Sequence, residues 1–304
     1  MMIGALLLGV ALGCGGSQVV KVAPAPSITM LDPGAEPRQQ LRYVLTARAP
    51  ERMEMTSKLR MKSAITNTVL ETQHRNVDFP SETEVGRIEV TSLTPGGDAV
   101  VSFEVEDVSV LDDVVDPAVR SAALAAAGST KGLRASWRMT PSGLISNVVV
   151  EARNASSSLR ELLPSITESL HAAAVVFPDE AIGIGARWQV ISQQVSGTVT
   201  WNRTVTYQLK ALTDSMATID AQMVMHAPSQ ALSVEPNSTT RLTSGTSNAT
   251  AEVVIPLRGL VPTLTNQGTT ELNFSIASSH LRIISTVQME TLSSVKPVAG
   301  TATP

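Results

Sequence analysis

A single thiol, four imidazoles, an acidic cluster and a glycine turn are the features of this 304-residue chain with the chemistry to act on another molecule. Cys14 is the only cysteine, so no intramolecular disulfide can form. Its thiolate form is a strong nucleophile able to take an acyl or glyceryl group. His74, His171, His226 and His280 lie far apart in the chain and match no H-E-x-x-H spacing, so they form no sequence-local metal motif. Histidines scattered in this way are more often surface or satisfied residues. Asp112, Asp113 and Asp116 follow Glu104, Glu106 and Asp107 and offer hard oxygens of the kind calcium takes. They lack the glycine-punctuated alternation of a calcium loop, and they read as a solvated strand end followed by a helix N-cap. Ile182-Gly183-Ile184-Gly185 contains G-x-G without a third glycine, and a strand pattern follows where a dinucleotide fingerprint needs a helix. It reads as a turn. The sequence holds no nucleophile elbow and no phosphate-binding loop. The expectation is a non-enzymatic protein with no catalytic, cofactor-binding or metal site.

The thiol has the clearest context. Residues 1–13, MMIGALLLGVALG, carry no charge and are too short for a membrane-spanning helix, which needs roughly 20 apolar residues. They fit a signal-peptide core, although no Lys or Arg precedes it, which suggests a start site further upstream. Ala11-Leu12-Gly13-Cys14 resembles the bacterial lipobox, in which the cysteine after a small residue is diacylated on sulfur and becomes the mature N-terminus. Two kinds of acyl attachment satisfy the requirement for stable anchoring, at about 0.8 kcal/mol per buried methylene. Residues 14–40 are rich in proline and show no sustained period, so they read as a lipid anchor and flexible tether. With Gly15 and Gly16 following the cysteine, the resemblance implies an outer-membrane lipoprotein facing the periplasm.

Charge narrows the partners. The formal net charge is -4 and only 16% of residues are charged, with no basic cluster, so nucleic acid is not an expected partner. Aromatic residues make up 3%, leaving a polar surface built mainly of Ser and Thr hydroxyls.

Strand patterns dominate the elements that would position these residues. Leu41–Ala47, LRYVLTA, reads as the first strand. In Met53–Thr68, Met53, Met55, Leu59 and Met61 alternate with Glu54, Thr56, Lys58, Arg60 and Lys62, with a slip in the middle consistent with a bulge. Glu84–Leu93 and Ala99–Val110 flank Thr94-Pro95-Gly96-Gly97-Asp98, a hairpin turn, with a phase shift near Asp107. Asp116-Pro117 opens a short helix, with Asp as N-cap and Gly128 as the stop. Two strands follow, Gly132–Met139 and Leu144–Glu151. Ser156–Val176 places Leu159, Leu162, Leu163, Ile166 and Leu170 on one helical face, and Pro164 makes it two short helices or one bent one. Six further strand patterns run from Arg187 to Leu292. The expected fold class is mainly β (α+β), with long antiparallel hairpins in one or two lobes and a small helical layer. The lobes are 41–152 and 179–292, a helical connector covers 153–178, and 293–304 is a disordered tail. Met53, Met55, Met61, Met223 and Met225 could line an adaptable apolar cavity, though such stripes are more often ordinary core.

One segment goes beyond composition. Phe177-Pro178-Asp179-Glu180-Ala181-Ile182-Gly183-Ile184-Gly185-Ala186-Arg187-Trp188 resembles the midpoint of the uncharacterised bacterial lipoprotein family DUF6263. The resemblance spans roughly residues 40 to 292: a lipoprotein signal, an LRY-like opening strand, long hairpins, a helical middle and then this Pro-Gly-Trp segment. It implies a fold and a lipid anchor, and no activity. Pro178 and the two glycines should reverse the backbone sharply, and Trp188 should anchor the next strand by burial.

The resulting expectation is a membrane-anchored envelope protein acting as a binding or structural module, its membrane contact made through Cys14. The alternative is a periplasmic carrier or chaperone of apolar ligands, lipid or lipoprotein. A filled core without a cavity of about 300 Å³ would weigh against the carrier. A hydrolase ranks third, because it would need a histidine beside an acid and a nucleophile.

Overall fold

A computed structural model describes residues 25–67, 72–114, 116–152, 157–171, 173–196, 198–235, 238–278 and 282–298. Cys14, the signal segment 1–13, His280 and the end of the tail lie outside the described residues. The chain forms β1 (Ser27–Asp32), β2 (Glu51–Asn67), β3 (Gln73–Asp78), β4 (Glu82–Leu93), β5 (Ala99–Val110), α1 (Pro117–Thr130), β6 (Arg134–Met139), β7 (Ile145–Glu151) and α2 (Ser157–His171). It continues through β8 (Arg187–Ser196), β9 (Val199–Leu212), β10 (Met216–Ala227), β11 (Gln230–Glu235), β12 (Ser238–Pro256), β13 (Thr263–Ser278) and β14 (Arg282–Pro297).

All fourteen strands belong to one antiparallel sheet in the order β1-β8-β9-β10-β12-β13-β14-β2-β4-β5-β6-β7, with β3 added to β2 and β11 to β12. The mainly β class with a small helical part is therefore what the chain adopts. Each half is a meander, β2 to β7 and β8 to β14. The two join along β14 and β2, which pair without a register shift from Ile283↔Asn67 to Pro297↔Met53. The expected lobes are thus halves of one sheet joined along a strand seam, and the span expected as a helical connector holds α2, which links β7 to β8 in the chain. Two long connections cross the molecule, residues 33–50 leading into β2 and residues 152–186 leading into β8. Within the second, α2 packs against β7 at one end of the strand order and against β8 near the other. The sheet therefore curls back on itself and α2 bridges its ends.

Several local expectations hold. Gly97 donates to Thr94 O and Thr94 to Asp98 O, closing the β4–β5 hairpin. The phase shift near Asp107 is a bulge, since Val85 pairs with Asp107 while Gly86 pairs with Val105. Asp116 caps α1, its carboxylate accepting from Ala118 N and Val119 N. Residues 157–171 form one continuous helix with Pro164 inside it. Leu159, Ile166 and Leu170 on that helix are buried.

Others are corrected. Leu41–Ala47 is not a strand: Tyr43 N donates to Pro141 O and Val44 N to Leu257 O, so its amides serve the turns of two different hairpins rather than one ladder. Ser27–Asp32 within the expected tether is β1, paired with β8, and Gln39 bridges Ile182, so the chain is ordered into the sheet well before residue 41. The slip in β2 does not exist. Ser57 occupies the inward phase between Met55 and Leu59 and pairs with Ser293, a polar residue in an unbroken alternation. α1 continues through Gly128 to Thr130, and the reversal falls at Gly132, whose N–H donates to Val105 O. The tail begins later than expected, because β14 runs on to Pro297 opposite Met53.

Candidate functional site

The Pro-Gly-Trp segment combines buried apolar side chains with backbone that only glycine fits. Phe177, Ile182, Ala186 and Trp188 are wholly buried. Trp188 lies in an aromatic row: Tyr43 to Phe177 at 5.2 Å between ring centroids, Phe177 to Trp188 at 6.4 Å, and Trp188 to Tyr207 at 5.4 Å. Its indole N–H donates to Val176 O at 2.8 Å, so the ring is both packed and satisfied. Gly185 adopts φ +88°, which a side chain rarely tolerates. A Cβ at Gly183 would collide with the carbonyl oxygen of Ala35, so glycine there lets the first connection lie against the second. Arg42 ties the same two connections, donating to Pro178 O at 2.7 Å and to the Asp179 carboxylate at 2.7 Å. Tyr43 Oη donates to Val175 O, and burial pushes the phenol pKa well above its ordinary value. The segment is a structural lock: Phe177, Pro178, Ile182, Ala186 and Trp188 are committed to the fold, while Glu180, Ala181, Ile184 and Arg187 face solvent.

Beside Tyr43 and Val175 is a partly open apolar cavity of about 70 Å³ between the inner face of the sheet and the irregular stretches Ala173–Val175 and Gly259–Pro262. Met53, Ile88, Val101 and Trp137 lie on the sheet side of its lining. Glu51 holds the second stretch by accepting from Leu260 N and Val261 N. Of the methionines expected to line a cavity, Met53 does so, while Met55 and Met225 are closed core.

The larger recess is a trough of about 700 Å³ on the outer face. Its floor is the backbone of the row Met223-Ala249-Gly268-Thr291, whose side chains belong to the inward phase, and its walls are the two neighbouring outward rows. One wall reads Gln222-Thr250-Gln267-Leu292-Lys58 and the other Val224-Asn248-Thr269-Glu290-Arg60. Crossing five strands at about 4.8 Å spacing, it is roughly 19 Å long. Gln222, Asn248, Thr250, Gln267 and Thr269 stand in its walls beside the exposed apolar Val224 and Leu292, and Lys58 and Arg60 close the β2 end. There Lys58 pairs with Asp113 at 3.0 Å and Arg60 with Asp78 at 3.5 Å.

The titratable groups fall into distinct environments. Asp113 accepts from Ser81 N, Ser81 Oγ and Lys58 Nζ, which hold its carboxyl well below the usual range. Asp112 pairs with Arg120 at 3.0 Å. The acidic cluster is thus a strand end and a helix cap, and among the described residues no three metal-ligating side chains converge. Glu82 and Glu84 behave oppositely. They point to the inner face beside Ser57 and Met55. Burial raises Glu82 to about 7, and burial with the neighbouring Glu82 raises Glu84 to about 8. Arg203, 6% exposed, has no carboxylate within ion-pair distance among the described residues, and Tyr207 is its hydrogen-bonding neighbour. His74, His171 and His226 are exposed on β3, α2 and β10 respectively. Sequence reading missed Glu82, Glu84 and Arg203. The signal available was a charged residue in the inward phase of an alternating strand.

A twelve-strand antiparallel path with an added strand on two of its members, its ends bridged by a helix, defines the architectural class. Residues 164–254 match the model of DUF6263, a family of unknown function, so the chain is similar to that family over a stretch that includes the Pro-Gly-Trp lock. No curated protein matches the chain. Among solved structures, a triple mutant of the Rhodopseudomonas blastica porin is 8% identical, with 79% of this chain and 99% of that one covered at a TM-score of 0.21. The outer membrane protease OmpT from Escherichia coli is 8% identical, with 82% and 96% covered at a TM-score of 0.24. At such scores neither likeness bears on fold or function.

Proposed function

We infer that this protein is a non-enzymatic binding module of the bacterial cell envelope, held through acylated Cys14 at the outer membrane and facing the periplasm, with the outer trough as its binding surface. The trough carries the reading: it is an open recess of about 700 Å³ in which Gln222, Thr250, Gln267, Asn248 and Thr269 present donors and acceptors at strand spacing beside the exposed Val224 and Leu292. The anchor rests on the lone cysteine after an apolar leader. Mass spectrometry of the protein extracted from native membranes tests both parts. Acyl groups on the N-terminal cysteine and a molecule retained only by the folded protein are expected. Asn248→Arg with Thr269→Arg should fill the trough and release that molecule, and Cys14→Ala should release the protein from the membrane.

The second reading, a carrier of lipid or lipoprotein, is favoured by the way the sheet curls round α2. The inner cavity of about 70 Å³ falls far below the volume of a whole lipid, so this reading requires α2 and the connection after it to move.

A further inference from the structure

The outer face of the sheet treats its polar side chains in two ways. Around the end of β13 and the start of β14 they bond to one another: Asn273 Nδ2 donates to Ser244 Oγ and to Glu271, Gln288 Nε2 to Glu271, and Thr286 Oγ1 to the Asn273 side-chain oxygen. In the trough the exposed side chains of Gln222, Asn248, Thr250, Gln267 and Thr269 make no hydrogen bond with any described residue, although they stand next to one another on β10, β12 and β13. Each amide offers two donors and an acceptor, and each hydroxyl one donor with acceptor lone pairs. Val224 and Leu292, 55% and 52% exposed, add one apolar patch to each wall. Charge at the β2 end is matched within the protein, by Lys58 with Asp113, Arg60 with Asp78 and Lys62 with Glu290.

An occupant matching these walls is neutral, carries both a donor and an acceptor at each step, offers apolar faces to Val224 and Leu292, and repeats at the strand spacing of about 4.8 Å. A polyanion fails on charge, since the cations at the β2 end already hold carboxylates. An extended peptide fails on spacing, because its residues advance about 3.4 Å each and fall out of step with the rows within two strands. Sugar rings meet every condition, with hydroxyls round the edge and C–H groups on the faces. In a β-1,4-linked chain each ring advances by close to one strand spacing, so successive rings reach successive strands. The α-1,4-linked chain of the same sugar coils and loses that match. We propose that the trough binds a neutral β-1,4-linked glycan lying across the strands, with one ring over each of β10, β12, β13 and β14. This assignment rests on the trough being the protein's binding surface and adds the class of molecule it takes.

Cellotetraose and maltotetraose, the same sugar joined β-1,4 and α-1,4, form a matched pair of probes for the 15N-labelled full chain. Cellotetraose should move the side-chain NH2 signals of Gln222, Asn248 and Gln267 saturably. It should bind at least about fivefold tighter than maltotetraose, the equivalent of one hydrogen bond. Cellobiose, reaching half the strands, should bind at least about tenfold more weakly than cellotetraose. Asn248→Ala with Gln267→Ala, both on the outer face, should weaken cellotetraose binding at least about fivefold while the unfolding midpoint stays in the range of surface substitutions. Equal binding of the two tetraoses, or amide signals unmoved by cellotetraose, overturns the proposal. If cellotetraose fails to bind while Asn248→Arg with Thr269→Arg still releases a retained native molecule, the glycan assignment falls and the trough remains a binding surface. If neither occurs, both fall. The comparison of probes needs no substitution, so a variant that fails to fold does not blunt it.

Discussion

The lock at Pro178–Trp188 and the long strands β12, β13, β14 and β2 are built on opposite principles. In the lock a few residues are each fixed for their own reason: Gly183 for backbone approach, Gly185 for its positive φ, Trp188 for volume and a bonded indole. In the long strands the requirement is one of phase, with apolar residues and a few bonded polar ones such as Asn266 and Ser293 inward, and Thr, Gln, Asn, Lys and Arg outward. The β13–β14 pairing runs from Leu264↔Val295 to Ala277↔Arg282 with no shift, held by ladder bonds that any residue but proline supplies. The comparison teaches that specific sequence is concentrated where connections cross, while the sheet itself tolerates substitution. A family model recognisable across 164–254 includes the crossing and the first strands after it.

Trp188→Ala should break the comparison hardest, removing a wholly buried ring and its bond to Val176 O. A loss of about 3–5 kcal/mol in urea unfolding is expected. An unchanged midpoint would mean the lock is not the keystone described.

Glu84→Gln sharpens the boundary between the two regions. With folded-state values of about 7 and 8, Glu82 and Glu84 hold protons that the unfolded chain has released, so stability is full below about pH 4.5 and falls as pH rises towards 8. The glutamine variant should flatten that fall and be roughly 1–2 kcal/mol more stable than the native chain at pH 8.5, allowing for the partial exposure of both carboxyls. Parallel pH profiles for the two proteins would refute the burial argument.

Thr269→Ala or Gln267→Ala, on the outer face of β13, should change the unfolding midpoint by no more than about 0.5 kcal/mol. A larger loss would show that the outer residues are structural and would remove the contrast with the lock.

Much of the strand content was legible because alternation survives in the sequence: Val101, Phe103 and Val105 point inward as their spacing requires. Where inward residues are Ser, Gly or Thr, as in the first half of β12, the pattern fades and the strand start was missed. Leu41–Ala47 shows the reverse failure. Its apolar residues read as a strand, yet they are buried by crossing the core between two hairpin turns.

The sequence by itself determined the β class, the hairpin turns, the α1 cap and the reversal at Pro178–Trp188, because each depends on neighbours within a dozen residues. It also determined the solitary Cys14 and the apolar run before it. Only the tertiary structure decided that the halves share one sheet, that β14 pairs with β2, and that Trp137 meets an apolar cavity while Glu82, Glu84 and Arg203 turn inward. Those outcomes depend on which distant strands meet, and backbone hydrogen bonds carry no label that local spacing could reveal.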